Sequence, residues 1–369
     1  MSMIDIIETK RDGAELSTAQ IDWFIEGYTE GSIPDYQAAA LLMAVYLRGM
    51  TRRETADLTL AMANSGDQLY LHDITPFVVD KHSSGGIGDK TSLVVLPAVA
   101  ACGVPVGKMS GRGLGSSGGT LDKMESIPGW SANISTENFK KQLAEIGFVL
   151  SGQTARLAPA DGRLYSLRDV TGTVGSVPLI AASIMSKKIS CGGDAVVLDV
   201  KLGSGAFMSN IEEARELAQI MVDIGHDSGR KTVALLADMN QPLGHAVGNA
   251  LEVREAVETL GGGGPESLWE HCVEVGAHML QLAGKARTLS EASNILDSVR
   301  MNGKALAKFR EMVAYQGGDP AYIDDPTMFK DPAVVQPVLS ENNGYIRSFD
   351  AEEIGWSCVR LGAGRMVKG

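Results

Sequence analysis

"FVVDKHSSGGIGDKTSLVVLPAVAAC", residues 77–102, joins a short run of β-favouring residues to a long apolar run through a segment holding Gly85, Gly86 and Gly88 among Asp80, Lys81, Asp89 and Lys90. The first run reads as a strand and "TSLVVLPAVAAC" as a helix, so the glycines mark a strand-to-helix turn. Ligands of open α/β sheets sit outside the carboxyl ends of strands, where a helix N-terminus offers N–H groups and the positive end of its dipole. Glycine lets the backbone approach an anion closely. A second loop, "SGRGLGSSGGTLDKMES" (110–126), follows the strand-like "VPVGKMS" in the same way. Two such loops could face one anion. Lys81, Ser83, Ser92, Ser110 and Thr120 supply a cation and four hydroxyls to them, the groups that phosphate oxygens need.

Upstream, the pattern is helical to about residue 66: "STAQIDWFIEGY", "PDYQAAALLMAVYLRG" and "TRRETADLTLAMANSG". Pro34 suits a first turn, Gly49 a C-terminal cap, and Thr51 with Glu54 has capping-box spacing. Downstream, "DAVVLDV" and "KTVALLADM" add strands between helical runs, which predicts an α/β layer around a mostly parallel central sheet. "VPLIAASIMSKKIS" (177–190) is helical again, so the chain is expected to return to the helical domain. The expected organisation is a small all-helical domain, 1–67 and 162–192, beside a larger α/β domain, 72–158 and 194–369. The "GGGG" at 261–264 reads as a loop.

With 45 acidic and 33 basic side chains the net charge is −12. That balance argues against nucleic acid as a partner and requires any anionic ligand to find a local cluster of cations. Cys102, Cys191, Cys272 and Cys358 stand singly, a spacing for buried thiols in a reducing compartment rather than for disulfides or zinc. No stretch approaches about 18 unbroken apolar residues, and the start "MSMIDIIETKRDG" has no signal-peptide pattern. The expectation is a cytoplasmic protein with no membrane partner.

"DKHSSGGIGDK", "KMSGRGLGSSGGTLDKMES" and "LYSLRDVTGTVGSVPLIAASIMSKK", in this order and spacing, closely resemble the pyrimidine-nucleoside phosphorylase and thymidine phosphorylase family. The resemblance implies a cleft between the helical and α/β domains, a homodimer built through the helical domains, and reversible phosphorolysis of pyrimidine nucleosides to pentose 1-phosphate and free base. Phosphate is then a substrate and no cofactor is expected. By the same resemblance Lys81, Ser83, Ser92, Lys108, Ser110 and Thr120 match phosphate ligands, and Tyr165, Arg168, Ser183 and Lys187 match the base site. His82 is expected beside the base, where it could hydrogen-bond or protonate a carbonyl oxygen. Ser183 and Lys187, four apart, share a helix face, with Arg168 expected in the preceding loop. Asp122 and Glu125 are expected to orient the second loop.

The chain departs from the family's pattern in several places. Ser116 and Ser117 stand where the family usually has His and Thr, which implies looser closure of the cleft. Lys90 replaces a Thr that, with residues matching Gly88, Leu243, Ala246 and Glu255, forms a potassium site in relatives. Its ammonium is expected to take the cation's place and pair with Glu255, because a buried carboxylate without a counter-ion is costly; potassium is then unnecessary. Lys108 is the residue of broad-specificity members, so uridine is expected to be accepted as well as thymidine and deoxyuridine; thymidine-selective or uridine-specific action are the alternatives. Relatives extend some tens of residues further, so the C-terminal part of the family fold is expected to be absent. Two rival readings stand beside these. One is a phosphoribosyltransferase of related architecture, with Asp89, Asp122 and Glu125 carrying magnesium; the other is a non-catalytic nucleoside-binding descendant.

Overall fold

A computed structural model describes residues 1–113, 115–152 and 156–362. Leu114 in the second glycine loop and the last residues of the expected α/β domain, 363–369, lie outside the described residues. The chain opens with α1 (Met3–Arg11), α2 (Thr18–Glu30), α3 (Asp35–Arg48) and α4 (Arg52–Asn64). The helix starts follow from local chemistry: Ser17 and Gln20 form one capping box, Thr51 and Glu54 another. Glu54 has a second task, since its buried carboxylate takes the Lys10 ammonium at 2.9 Å and ties α1 to α4.

The chain then enters the sheet: β1 (Val79–Ser83), α5 (Thr91–Ala101), β2 (Val106–Ser110), α6 (Thr120–Met124), α7 (Thr136–Ile146) and β3 (Phe148–Gly152). It returns to the helical body as α8 (Pro159–Thr171) and α9 (Val177–Ser190). Leu164 of α8 and Leu179 of α9 bury among Ile21, Phe24, Leu41 and Leu58. This return begins at Pro159, slightly before the expected residue 162, because proline opens a helix readily. The remainder is β4 (Ala195–Leu202), α10 (Ile211–Asp227), β5 (Lys231–Asp238), α11 (Asn249–Leu260), α12 (Glu266–Leu282), α13 (Leu289–Met301), α14 (Lys304–Tyr315), α15 (Ala321–Asp324) and α16 (Ala351–Arg360).

The five strands lie in the order β3-β2-β1-β4-β5, and each neighbouring pair is parallel. Alternation along β4 sends Ala195 and Val197 to the layer of α5 and α12, and Val196, Leu198 and Val200 to the layer of α9 and α10, as a two-sided sheet demands. The chain builds outward from β1 on one side and from β4 on the other. The switch point therefore falls between β1 and β4, where Ser83 pairs with Asp199; ligands of open α/β sheets bind outside the carboxyl ends of the strands near such a point. Among the described residues no helix is long and apolar enough to cross a membrane.

Candidate active site

A cleft of about 770 Å³ lies between α8 and α9 on one wall and the carboxyl ends of β1 and β2 with their loops on the other. On the sheet side it is lined by His82, Ser83, Ser92, Lys108, Ser110 and Thr120; on the helical side by Tyr165, Arg168, Ser183 and Lys187. The structure thus brings together both sets of expected residues except Lys81, which does not line the cleft. Lys81 is fully buried, with its Nζ 3.3 Å from Asp199 Oδ2.

Alternate side chains of β1 face opposite ways, which separates two charge clusters. With Lys81 and Ser83 stand Asp199, Asp89 and Lys201: Ser83 Oγ donates to Asp89 Oδ2, and Lys201 lies 2.9 Å from Asp199 Oδ1. Burial works against the Asp89 carboxylate, but the ammonium groups of Lys81, Lys201 and Lys123 outweigh it and hold its pKa well below the ordinary value. Asp89 also accepts the N–H of Thr91 at 3.1 Å, so it fixes the start of α5. The first glycine loop is tied to β4 through Ser84, whose N–H donates to Asp199 O at 3.0 Å and whose Oγ accepts the Lys201 N–H at 2.8 Å.

On the other side of β1, Asp80 is shared by Lys188 at 2.6 Å and Lys108 at 3.9 Å. Lys188 also donates to Met109 O at 3.0 Å, joining α9 to both β1 and β2. Burial first, and then the ammonium groups of Lys188, Lys108, Lys187 and Lys81, hold the His82 imidazole well below its usual pKa. The ring is neutral at pH 7 and offers one donor and one acceptor.

The second glycine loop is folded tightly on itself. A Cβ at Gly113 would stand 2.1 Å from Ser117 O, and one at Gly119 would stand 2.2 Å from Gly113 N, so only glycine fits at either place. Asp122 Oδ2 accepts the N–H groups of Gly113 at 2.7 Å and Gly119 at 3.1 Å. Arg112 bridges Asp122 and Glu125, so both acids engage the loop. Ser117 lines the cleft whereas Ser116 does not.

On the helical wall, Lys187 Nζ meets Asp161 Oδ2 at 2.5 Å and Ser183 Oγ at 2.9 Å, and lies 5.6 Å from the Tyr165 ring centre. Arg168 is not in a loop as expected: it sits in the last turn of α8, which runs on until Gly172 adopts a left-handed φ of 70°. It donates to Leu179 O at 3.0 Å and Val174 O at 2.7 Å, so the backbone around α9 aims it. Burial lowers the pKa of both cations, and the Asp161 carboxylate opposes that shift at each.

Lys90 lies fully buried beside the first loop. Its Nζ donates to Leu243 O and Ala246 O, each at 2.7 Å, and meets Glu255 Oε2 at 2.5 Å. Glu255 Oε1 accepts the N–H of His245 at 2.8 Å, and Gly88 packs against Leu243 O. Leu243 O, Ala246 O and Glu255 Oε2 are therefore all engaged by the Lys90 ammonium. The sequence carries no signal for Lys123, Asp161, Lys188, Asp199 or Lys201: apart from Asp199 and Lys201, two apart on β4, each meets a partner distant along the chain.

Residues 4–66 match the helical bundle domain of the glycosyl transferase family, and residues 75–306 match that family's α/β domain. The pyrimidine-nucleoside phosphorylase of Geobacillus stearothermophilus is 51% identical over 368 residues, spanning 100% of this chain and 85% of that protein. The pyrimidine-nucleoside phosphorylase of Bacillus subtilis (strain 168) is 53% identical over the same share of each chain. Anthranilate phosphoribosyltransferase from Thermus thermophilus superposes with a TM-score of 0.71 at 20% identity, over 85% of this chain and 99% of that one, a likeness of fold alone. Two glycine loops facing a basic helical wall across one cleft, with half of the residues shared along the whole chain, make this protein a member of the pyrimidine-nucleoside phosphorylase family.

Proposed function

We propose that the protein catalyses reversible phosphorolysis of pyrimidine nucleosides, with uridine, thymidine and deoxyuridine as substrates. The observation that carries this reading is that one cleft sets the hydroxyls of Ser83, Ser92, Ser110 and Thr120 opposite Arg168, Ser183 and Lys187. Hydrogen phosphate is already a nucleophile, so positioning and charge stabilisation supply the catalysis. A phosphate oxygen bonds to the anomeric carbon as the carbon–nitrogen bond breaks and its electron pair leaves with the base. Arg168 and Lys187 stabilise the base anion at its carbonyl oxygens, and the phosphate proton ends on the base nitrogen. His82, neutral among its lysines, donates a hydrogen bond there rather than serving as a standing imidazolium. Lys81, buried behind the loop against Asp199, supplies positive charge to the phosphate site from there.

Lys108, on the cleft wall, can donate to a ribose 2'-hydroxyl, which supports uridine among the substrates. The Lys90 ammonium, held by two carbonyls and Glu255, supports activity without potassium. A homodimer through the helical domains is part of the same reading, supported by the exposed Tyr36 and Leu47 on α3 and Val170 on α8; unpaired cysteines fit a cytoplasmic setting.

The test is phosphate-dependent release of free base from uridine and thymidine in potassium-free buffer. Turnover of both is expected. Turnover of thymidine alone overturns the role of Lys108, silence until potassium is added overturns that of Lys90, and silence in every buffer overturns the reading itself.

A further inference from the structure

The last described helix, α16, comes after residues 331–350, which are exposed and form neither helix nor strand. Asp350 caps it by accepting the Glu353 N–H at 3.0 Å. Its buried stripe is Ala351, Gly355 and Val359, one face of a helix at intervals of four. No residue of α16 lines the cleft, yet the helix sits on the back of the loops that do.

Gly355 makes the closest approach. A methyl group there would stand 2.5 Å from Ile87 Cδ1, 2.7 Å from Ser116 O and 3.0 Å from Ser116 Cβ. Ile87 belongs to the first glycine loop and Ser116 to the second, so one helical position touches both. The Ile87 methyl can turn aside, but the Ser116 oxygen is backbone and yields only if the loop moves. Around this point α16 makes further contacts: the Ala351 N–H reaches Ser204 Oγ at 3.4 Å, and Cys358 Sγ lies 3.7 Å from Val247 O, in the turn that embraces Lys90. Glycine inside a helix costs about 1 kcal/mol relative to alanine, so close packing, not helix formation, explains glycine at 355.

We propose that α16 is the clamp that sets the conformation of both phosphate loops, with Gly355 as a positioning residue for phosphate. The proposal rests on the reading that phosphate binds at these loops. It assigns a part in the reaction to a helix that never touches substrate: α16 presses the two loops from behind so that their amides and hydroxyls converge.

The test is Gly355→Ala in the full chain, with Glu353→Ala on the exposed side of the same helix as control. Gly355→Ala is expected to raise the phosphate KM about tenfold by shifting the loop a fraction of an ångström. The nucleoside KM should hold, and the melting temperature should fall only slightly, because the gain in helix propensity offsets part of the strain of the added methyl. Glu353→Ala should change neither KM. An unchanged phosphate KM in folded Gly355→Ala overturns the proposal, as does an equal rise in both KM values with a lowered melting temperature. Amide exchange of residues 111–119, read by mass spectrometry, is independent of turnover. Faster exchange in Gly355→Ala supports the clamp and unchanged exchange overturns it, even if the wild-type protein releases no base and the phosphorolysis reading fails.

Discussion

An ammonium as deeply buried as that of Lys90 is sustained only by its surroundings: two carbonyl oxygens and the Glu255 carboxylate surround it. Removing one partner of such a pair strands the other charge, which costs about 3 to 5 kcal/mol. Lys90→Thr is therefore expected to lower stability in potassium-free denaturant titrations by that amount. Added potassium should raise the variant's midpoint, because an ion that binds only the folded state stabilises it by mass action, while the wild-type midpoint stays fixed. A variant indifferent to potassium would show that the carbonyls and Glu255 do not form a cation site once the ammonium is gone. At this scale the sequence was legible where partners are local: Ser183 and Lys187, one turn apart, do meet at 2.9 Å. It was silent about Asp161, whose contact with Lys187 spans 26 residues of sequence.

Among the elements, α8 and α9 act as a unit: α9 presents Lys187, and α8 presents Asp161 to hold it. Burial lowers the Lys187 pKa and the Asp161 carboxylate raises it. In Asp161→Asn the opposing effect is lost, so the pKa falls further and the ammonium is surrendered at lower pH. If charged Lys187 stabilises the departing base, the alkaline limb of kcat/KM should move to lower pH. The variant's deficit should grow as pH is raised from 7 to 9. A pH–rate profile measures this, and a deficit independent of pH would remove charged Lys187 from the reaction. Elements were read well where their ends carry capping chemistry, as at Thr51 with Glu54. They went unread where length alone decides: "FVLSG", five residues of β3, is too short for its periodicity to separate strand from helix. Arg168 was misplaced because nothing before Gly172 signals where α8 stops.

For the whole molecule, the helical body and the sheet meet along the floor of the cleft, where Lys188 of α9 reaches Asp80 and Met109 O in the sheet. The outer face of the helical body leaves Tyr36 75% and Leu47 71% exposed on α3, an apolar surface suited to a second copy. Leu47→Glu is expected to convert a dimer into monomers in sedimentation velocity, since a carboxylate buried at an interface has no partner there; a wild-type protein that sediments as a monomer would overturn the dimer. The sequence by itself determined what short-range chemistry can encode: alternating helix and strand, two glycine turns at strand ends, caps, and the hydroxyls and cations those turns carry. The tertiary structure alone decided how distant charges pair, that Lys81 faces Asp199 rather than the cleft, and that Gly355 comes to rest against Ser116. Those outcomes depend on which surfaces pack together, and packing joins residues whose separation along the chain carries no trace of the contact.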